Sequence, residues 1–231
     1  MAAVTYETRE RASDVGTPFE PPVDRTPQEL ATELRGLAGV DWETVWNGPP
    51  LPGKGLDMWC AQFGWTPTQF EYVLNVRTDT GGELVLNATG GSWAPVRSVS
   101  HGVWGAVSVN GPEHNAEVLA EADRAWPLYR DAVSSVLSEP AWEGAWDSDS
   151  FPQELGEYAI PQQRDRIEDK DPYHMAYWAL AGSAETLVSL RITPGLGTAD
   201  GSSIGVVNMD LDVYPRPVPG RDPRAGGRSD P

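Results

Sequence analysis

Residues 70–88 read Phe70-Glu71-Tyr72-Val73-Leu74-Asn75-Val76-Arg77-Thr78-Asp79-Thr80-Gly81-Gly82-Glu83-Leu84-Val85-Leu86-Asn87-Ala88. Phe70, Tyr72, Leu74 and Val76 recur at a period of two, which puts them on one side of a strand. Asp79-Thr80-Gly81-Gly82 supplies the local hydrogen bonding and positive φ that a tight turn needs. Leu84, Leu86 and Ala88 then return on the partner strand. Val103 to Val109 reads as a further strand, with Val103, Val107 and Val109 placed alike. Together the three segments predict an antiparallel meander.

Outward from this meander the period is helical. Upstream, Thr26 can cap a helix, Pro27 suits its first position and Glu29 can close a capping box. Leu30, Leu34 and Leu37 follow on one face. A second helix is expected over roughly residues 55–63, with Leu56, Trp59, Cys60 and Phe63 on one side and Gly64 ending it. Cys60 at this spacing reads as a small buried hydrophobe. Downstream of the meander, Pro127 interrupts a long helical pattern, predicting a kink or two helices near 113–125 and 127–138. Strand character resumes over Tyr173–Ala181, Thr186–Thr193 and Ile204–Tyr214. The fold class is therefore α+β: a mostly antiparallel sheet with helices packed on one side, in the order α-α-βββ-α(α)-loop-βββ. Residues 1–25 read as a flexible N-terminal arm, 26–214 as a single domain, and 215–231 as a disordered Pro/Gly/Arg tail.

The chain of 231 residues has a formal net charge of −17. The arm carries a net −2 and the tail a net +2, so the body holds all of the excess. Residues 139–171 contain ten acids against three bases, with Trp142, Trp146, Phe151 and Tyr158 among them. This acidic excursion from the core is the candidate partner-binding segment, through Trp142, Glu143, Trp146, Asp147, Asp149, Glu154 and Glu157. Tryptophan is enriched at interface hot spots ringed by polar groups. The competing structural role for Trp142 and Trp146 is to clamp the excursion onto the body. The acidity argues against binding to duplex nucleic acid or to an anionic membrane. With no basic start followed by an apolar stretch, a cytoplasmic location is expected.

Chemistry-bearing motifs are sparse. His101, His114 and His174 fall in different elements, and one cysteine cannot build a Cys-based zinc site. Asp79-Thr80-Gly81 matches the short aspartic-protease triplet but sits between two alternating strands, where it reads as a hairpin turn. Asp210 and Asp212 project from one face of the last strand and could hold a hard cation, or form the solvent face of a half-exposed strand. No catalytic residue, metal site or cofactor is assigned.

Fifteen Arg against two Lys suggests high-GC coding. Leu56-Asp57 through Phe63-Gly64-Trp65, the strands around Gly81-Gly82, and Trp126 through Glu139-Pro140 with Trp142 add a layout. That layout resembles a group of actinobacterial proteins similar to the immunity proteins of polymorphic toxin systems. The resemblance covers residues 28–214 in outline and implies a cytoplasmic inhibitor of a basic protein toxin with no chemistry of its own. Two alternatives stand beside it: a structural adaptor resembling secretion chaperones, and a carboxylate-dependent metalloenzyme around Asp210 and Asp212.

Overall fold

The computed structural model describes residues 19–20, 25–70, 73–88, 94–108, 112–152, 163–180, 186–195 and 205–216. Its centre is one antiparallel sheet. The strands are β1 (Phe19–Glu20), β2 (Trp65–Phe70), β3 (Leu74–Thr78), β4 (Glu83–Ala88), β5 (Val96–Ser108), β6 (Trp142–Gly144), β7 (His174–Ala179), β8 (Thr186–Gly195) and β9 (Gly205–Pro215). They lie in the order β2-β3-β4-β5-β9-β8-β7-β6, with β1 pairing β5 beside this path. Two sequential four-stranded meanders thus meet at the β5–β9 pair, and the α+β class read from the sequence holds.

Four helices pack on one face. In α1 (Pro27–Leu37) the Thr26 hydroxyl accepts from the Glu29 N–H at 3.2 Å and the Glu29 carboxylate accepts from the Thr26 N–H at 2.8 Å. The anticipated capping box is therefore present. Next comes α2 (Trp42–Asn47), capped by the Asp41 carboxylate at 3.3 Å from the Thr44 N–H, which the sequence reading lacks. Six residues are too few for a helical period to register. α3 (Lys54–Ala61) buries Leu56, Trp59 and Cys60, as expected. α4 (Asn115–Leu137) is a single helix through Pro127. Proline inside a helix costs about 3 kcal/mol. The buried row Val118, Ala122, Ala125, Trp126, Tyr129, Val133 and Leu137 spans both sides of it and holds the two halves in one element.

Two strand boundaries differ from the reading, each for its own reason. Phe70 ends β2 and Leu74 begins β3, and the two are cross-strand partners. Partners share a face, so the alternation Phe70, Leu74, Val76 runs unbroken through a hairpin. β5 begins at Val96, seven residues before the expected Val103, because a register irregularity opposite Asn87 and Ala88 spaces the buried Val96 and Val99 three residues apart, and His101 takes the next core position. A bulge between Gly102 and Trp104 then resets the register. Within residues 1–25, Phe19 and Glu20 pair with Ser108 and Val107, and Tyr129 donates its hydroxyl hydrogen to the Arg25 carbonyl.

The core lies between the helices and one sheet face. Leu30, Leu34, Leu37, Trp42 and Val133 meet Val76, Leu84, Val99, Trp178, Leu190, Met209 and Leu211 there. Among the described residues, no helix is long and apolar enough to cross a membrane.

Candidate functional site

Alternation fixes what the other face carries. On β9, Val207, Met209, Leu211 and Val213 enter the core, so Asn208, Asp210, Asp212 and Tyr214 face the opposite way. On β8, Val188, Leu190 and Ile192 are core residues, and Leu187, Ser189, Arg191 and Thr193 are not. The register sets Ser189 against Asp212, and Arg191 against Asp210. From the other side β5 offers Ser100 against Asp212 and Gly102 against Asp210. Asn87 on β4 extends this polar stripe by donating to the Ser98 and Ser100 hydroxyls at 3.2 and 3.0 Å.

The centre of this second face is an unequal charge cluster. Arg191 Nε lies 3.4 Å from Asp212 Oδ2. Asp212 is only 3% exposed, although it is a carboxylate. Burial opposes the Arg191 charge, but the surrounding Asp212, Tyr214, Asp171 and Asp210 more than offset it and hold its pKa up. The carboxyls are less well served. Burial, with Asp212 beside it, raises Asp210 to about 6 despite Arg191. Burial also raises Asp171, against the pull of Arg191 and Thr193. Among the described residues, the Arg191 guanidinium thus acts on three carboxylates, Asp171, Asp210 and Asp212. Among the described residues, no group of three or more His, Cys, Asp or Glu side chains is arranged to hold a metal ion.

The acidic excursion borders this face. Its strand β6 pairs with β7, setting Trp142 opposite Tyr177. Met175, Leu187 and Tyr214 form a second, smaller core on the side of the sheet away from α1–α4, and Trp142, Phe151 and Tyr177 pack against it. Trp142 meets Phe151 edge-on, with ring centroids 4.8 Å apart, and its indole N–H donates to the Ser150 carbonyl at 2.7 Å. Helix α5 (Gln163–Asp169) closes the excursion. Its Arg166 donates to the Trp146 carbonyl, and its guanidinium carbon lies 4.3 Å from the Phe151 ring centre. Lys170 Nζ stands 5.6 Å from the centre of the half-buried Trp146 ring.

The candidate binding residues thus divide. Trp142 lies on the face away from α1–α4 and packs into the protein's own second core. Glu143, one residue on, points to the helix side, where it accepts from the Trp126 indole N–H at 3.1 Å and pairs with Arg130 at 3.7 Å. Trp146 is held through its backbone by Arg166, while Asp147 and Asp149 are exposed. Glu154 and Glu157 lie outside the described residues. The sequence reading takes this segment and the Asp210/Asp212 pair as separate candidates; the sheet places Trp142, of the segment's residues, on the face that carries Asp210 and Asp212.

The remaining polar groups serve the fold. Glu33 is 2% exposed and accepts from the Thr78 hydroxyl at 2.8 Å, from the Thr80 hydroxyl, and from Arg25 at 3.2 Å. It ties α1 to the turn between β3 and β4. Asp79-Thr80-Gly81 is that turn, closed by the Thr78 N–H on the Gly82 carbonyl at 2.8 Å, and Gly81 has a φ of 83° that favours glycine. His101 is buried on the core side with Nδ1 2.8 Å from the Glu83 carbonyl, and burial lowers its pKa. His114 pairs with Glu117. His174 stacks on Trp126 and pairs with Asp123 at 2.8 Å. The three histidines therefore occupy three separate sites.

These features define an α+β protein whose sheet is covered by α1–α4 on one face and carries on the other a small apolar core, bordered by α5, beside a cluster of acidic and polar groups. Comparison with models of known families, with curated proteins and with solved structures returns no match for the chain.

Proposed function

We propose that this protein is a non-catalytic acidic binding protein that inhibits a basic protein, in the manner of an immunity protein acting on a toxin in the cytoplasm. The observation that carries the reading is the sheet face away from α1–α4, where among the described residues Arg191 faces the three carboxylates Asp171, Asp210 and Asp212 in a chain of strongly negative charge. A cationic partner surface supplies what that face lacks. Charge complementarity of this kind speeds association and sets orientation. The exposed Asp147 and Asp149 extend the same acidic surface from the excursion. Trp142 and Phe151 contribute by fixing the excursion in place.

The test is calorimetric titration of the whole chain with a basic toxin-like product encoded beside its gene, repeated over a salt series. Tight binding that weakens steeply between 50 and roughly 300 mM salt is expected, since screening shortens the reach of exposed charges. Binding that ignores salt, or a partner whose activity is untouched when bound, overturns the reading.

A further inference from the structure

We infer that His101 makes the attachment of the N-terminal arm sensitive to acid: protonating its buried ring releases Arg25, and with it the arm, from β5. This goes beyond the inhibitor reading and stands apart from it. Arg25 is the point where the arm joins α1. Its N–H donates to the Val103 carbonyl at 3.3 Å, and its own carbonyl accepts from the Tyr129 hydroxyl. Its guanidinium reaches Glu33 Oε2 at 3.2 Å, the oxygen that also accepts from Thr78 and Thr80. Further along the arm, Phe19 and Glu20 pair with Ser108 and Val107. The two described pieces of the arm thus lie antiparallel along β5, between Val103 and Ser108.

His101 stands two residues before Val103 on the same strand and is 3% exposed. Its Nδ1 lies 2.8 Å from the Glu83 carbonyl. A carbonyl only accepts, so Nδ1 carries the ring's hydrogen and Nε2 is the bare nitrogen. Nε2 is buried and has no hydrogen-bond partner among the described residues. Acid adds its proton there, making a cation whose new N–H meets no acceptor. The charged groups that act on the ring are Arg25, Glu33 from α1 and Glu83 from β4. On β9 its partner is the apolar Leu211, and from α4 the nearby polar group is the Tyr129 hydroxyl on Arg25. Burial holds the ring below its usual range; the Glu83 carbonyl resists this, and Arg25 adds to it. Once protonated, the ring and Arg25 are two cations beside one Glu33 carboxylate. His101 is fixed inside a central strand and Glu33 by Thr78 and Thr80. Arg25 is the group free to leave, because its side chain is 16% exposed and the arm ahead of it pairs through the two-residue β1. Its departure removes the repulsion and leaves Glu33 to the imidazolium. The attached state therefore has the lower His101 pKa. Attachment is fully favoured above the ordinary histidine value of 6.5 and weakens as pH falls below it, by up to about tenfold per pH unit.

The experiment is amide hydrogen exchange of the ¹⁵N-labelled whole chain, read by NMR at about pH 7.5 and about pH 5 and corrected for the intrinsic rate at each pH. Protection of the Arg25 amide should fall by about tenfold or more between the two, while that of Val207, Met209 and Leu211 in β9 changes less than about twofold. His101→Gln keeps a donor for the Glu83 carbonyl and takes up no proton, so it should abolish the fall at Arg25. An equal loss of protection in β9 would mark acid unfolding of the whole fold and overturn the inference. A fall that persists in His101→Gln would assign the release to carboxylates and overturn it too. Should His101→Gln lose its native spectrum, Arg25→Gln decides through the NMR titration of the His101 ring. Its midpoint should rise by about half a pH unit or more when the neighbouring cation is gone, and an unmoved midpoint refutes the coupling.

Discussion

Replacing Asp210 by Asn should stabilise the protein at neutral pH and leave it unchanged in acid. In the folded chain the Asp210 carboxyl is raised from 3.8 to about 6, by burial first and by Asp212 second. The native state therefore holds this proton more tightly than the unfolded chain. Its favourable contribution is fully present below the unfolded pKa and is lost as pH rises through about 6. A shift of about two units at about 1.4 kcal/mol per unit sets a ceiling of about 3 kcal/mol. Asp210 is partly exposed, and its removal also weakens the field that supports Arg191, so about 1–2 kcal/mol is the expected gain at pH 8. For a chain of this length that raises Tm by about 3–6 °C. Thermal melts of both proteins from pH 3.5 to pH 8 provide the assay. The two Tm values should coincide at the acid end, separate between pH 4 and pH 6, and stay apart above. A Tm difference that does not depend on pH, or a variant less stable at pH 8, would refute the reasoning.

Other perturbations separate the groups around that site from those that hold the fold. Asp212→Asn should act oppositely to Asp210→Asn and cost about 2–4 kcal/mol in urea unfolding, because it strands Arg191 beside a buried neutral amide. Glu33→Ala should cost about 3–5 kcal/mol in the same measurement, since Arg25, Thr78 and Thr80 lose their common acceptor at once. Trp142→Ala should cost about 1–3 kcal/mol by opening the second core around Phe151, Met175 and Leu187, and an unchanged urea midpoint would contradict that packing. The Cys60 thiol, buried and pushed up to about 11, should react with a disulfide reagent at pH 8 about a hundredfold more slowly in the native chain than in the unfolded one.

Much of the sheet is legible in the sequence, and what is not has identifiable physical causes. Strands with a buried and a more exposed face advertise themselves by alternation, as β4 and the first half of β9 do, while β8, buried on both faces over most of its length, shows as an apolar run. Alternation is blind to a hairpin whose first and last residues are partners, which is why Phe70 and Leu74 read as one strand. It is also blind where irregular pairing breaks the period of two, as in the first half of β5, where the buried Val96 and Val99 are three residues apart and His101 takes the next core position. The same rule did place Asp210 and Asp212 together on one face. It could not supply Arg191, whose position beside them depends on the pairing of β8 with β9. Trp142 posed a different problem. A three-residue strand has no period to read, so the side of the sheet to which its ring turns is set by its pairing with Tyr177.

The position of the Asp210 cluster follows from the topology rather than from local sequence. Each meander grows outward from the middle of the sheet, β5 back to β2 on one side and β9 back to β6 on the other. The join between them is the long antiparallel β5–β9 pair, which runs from Val99 opposite Val213 to Ser108 opposite Gly205. Helices α1 and α4 pack on each other and cover the sheet from one side, with α4 reaching β5 and β9. Residues of the join that face away from them are thus anchored by neighbours on both strands and by a core beneath. Central strands of this kind open only with the whole domain. Carboxylates mounted there are held in place before a partner arrives, so binding them carries little ordering cost. An acidic loop of equal charge would lose more entropy for the same contacts. If the protein binds a basic partner as proposed, its contact is therefore best sought first on the β5–β9 join and second along the excursion that borders it.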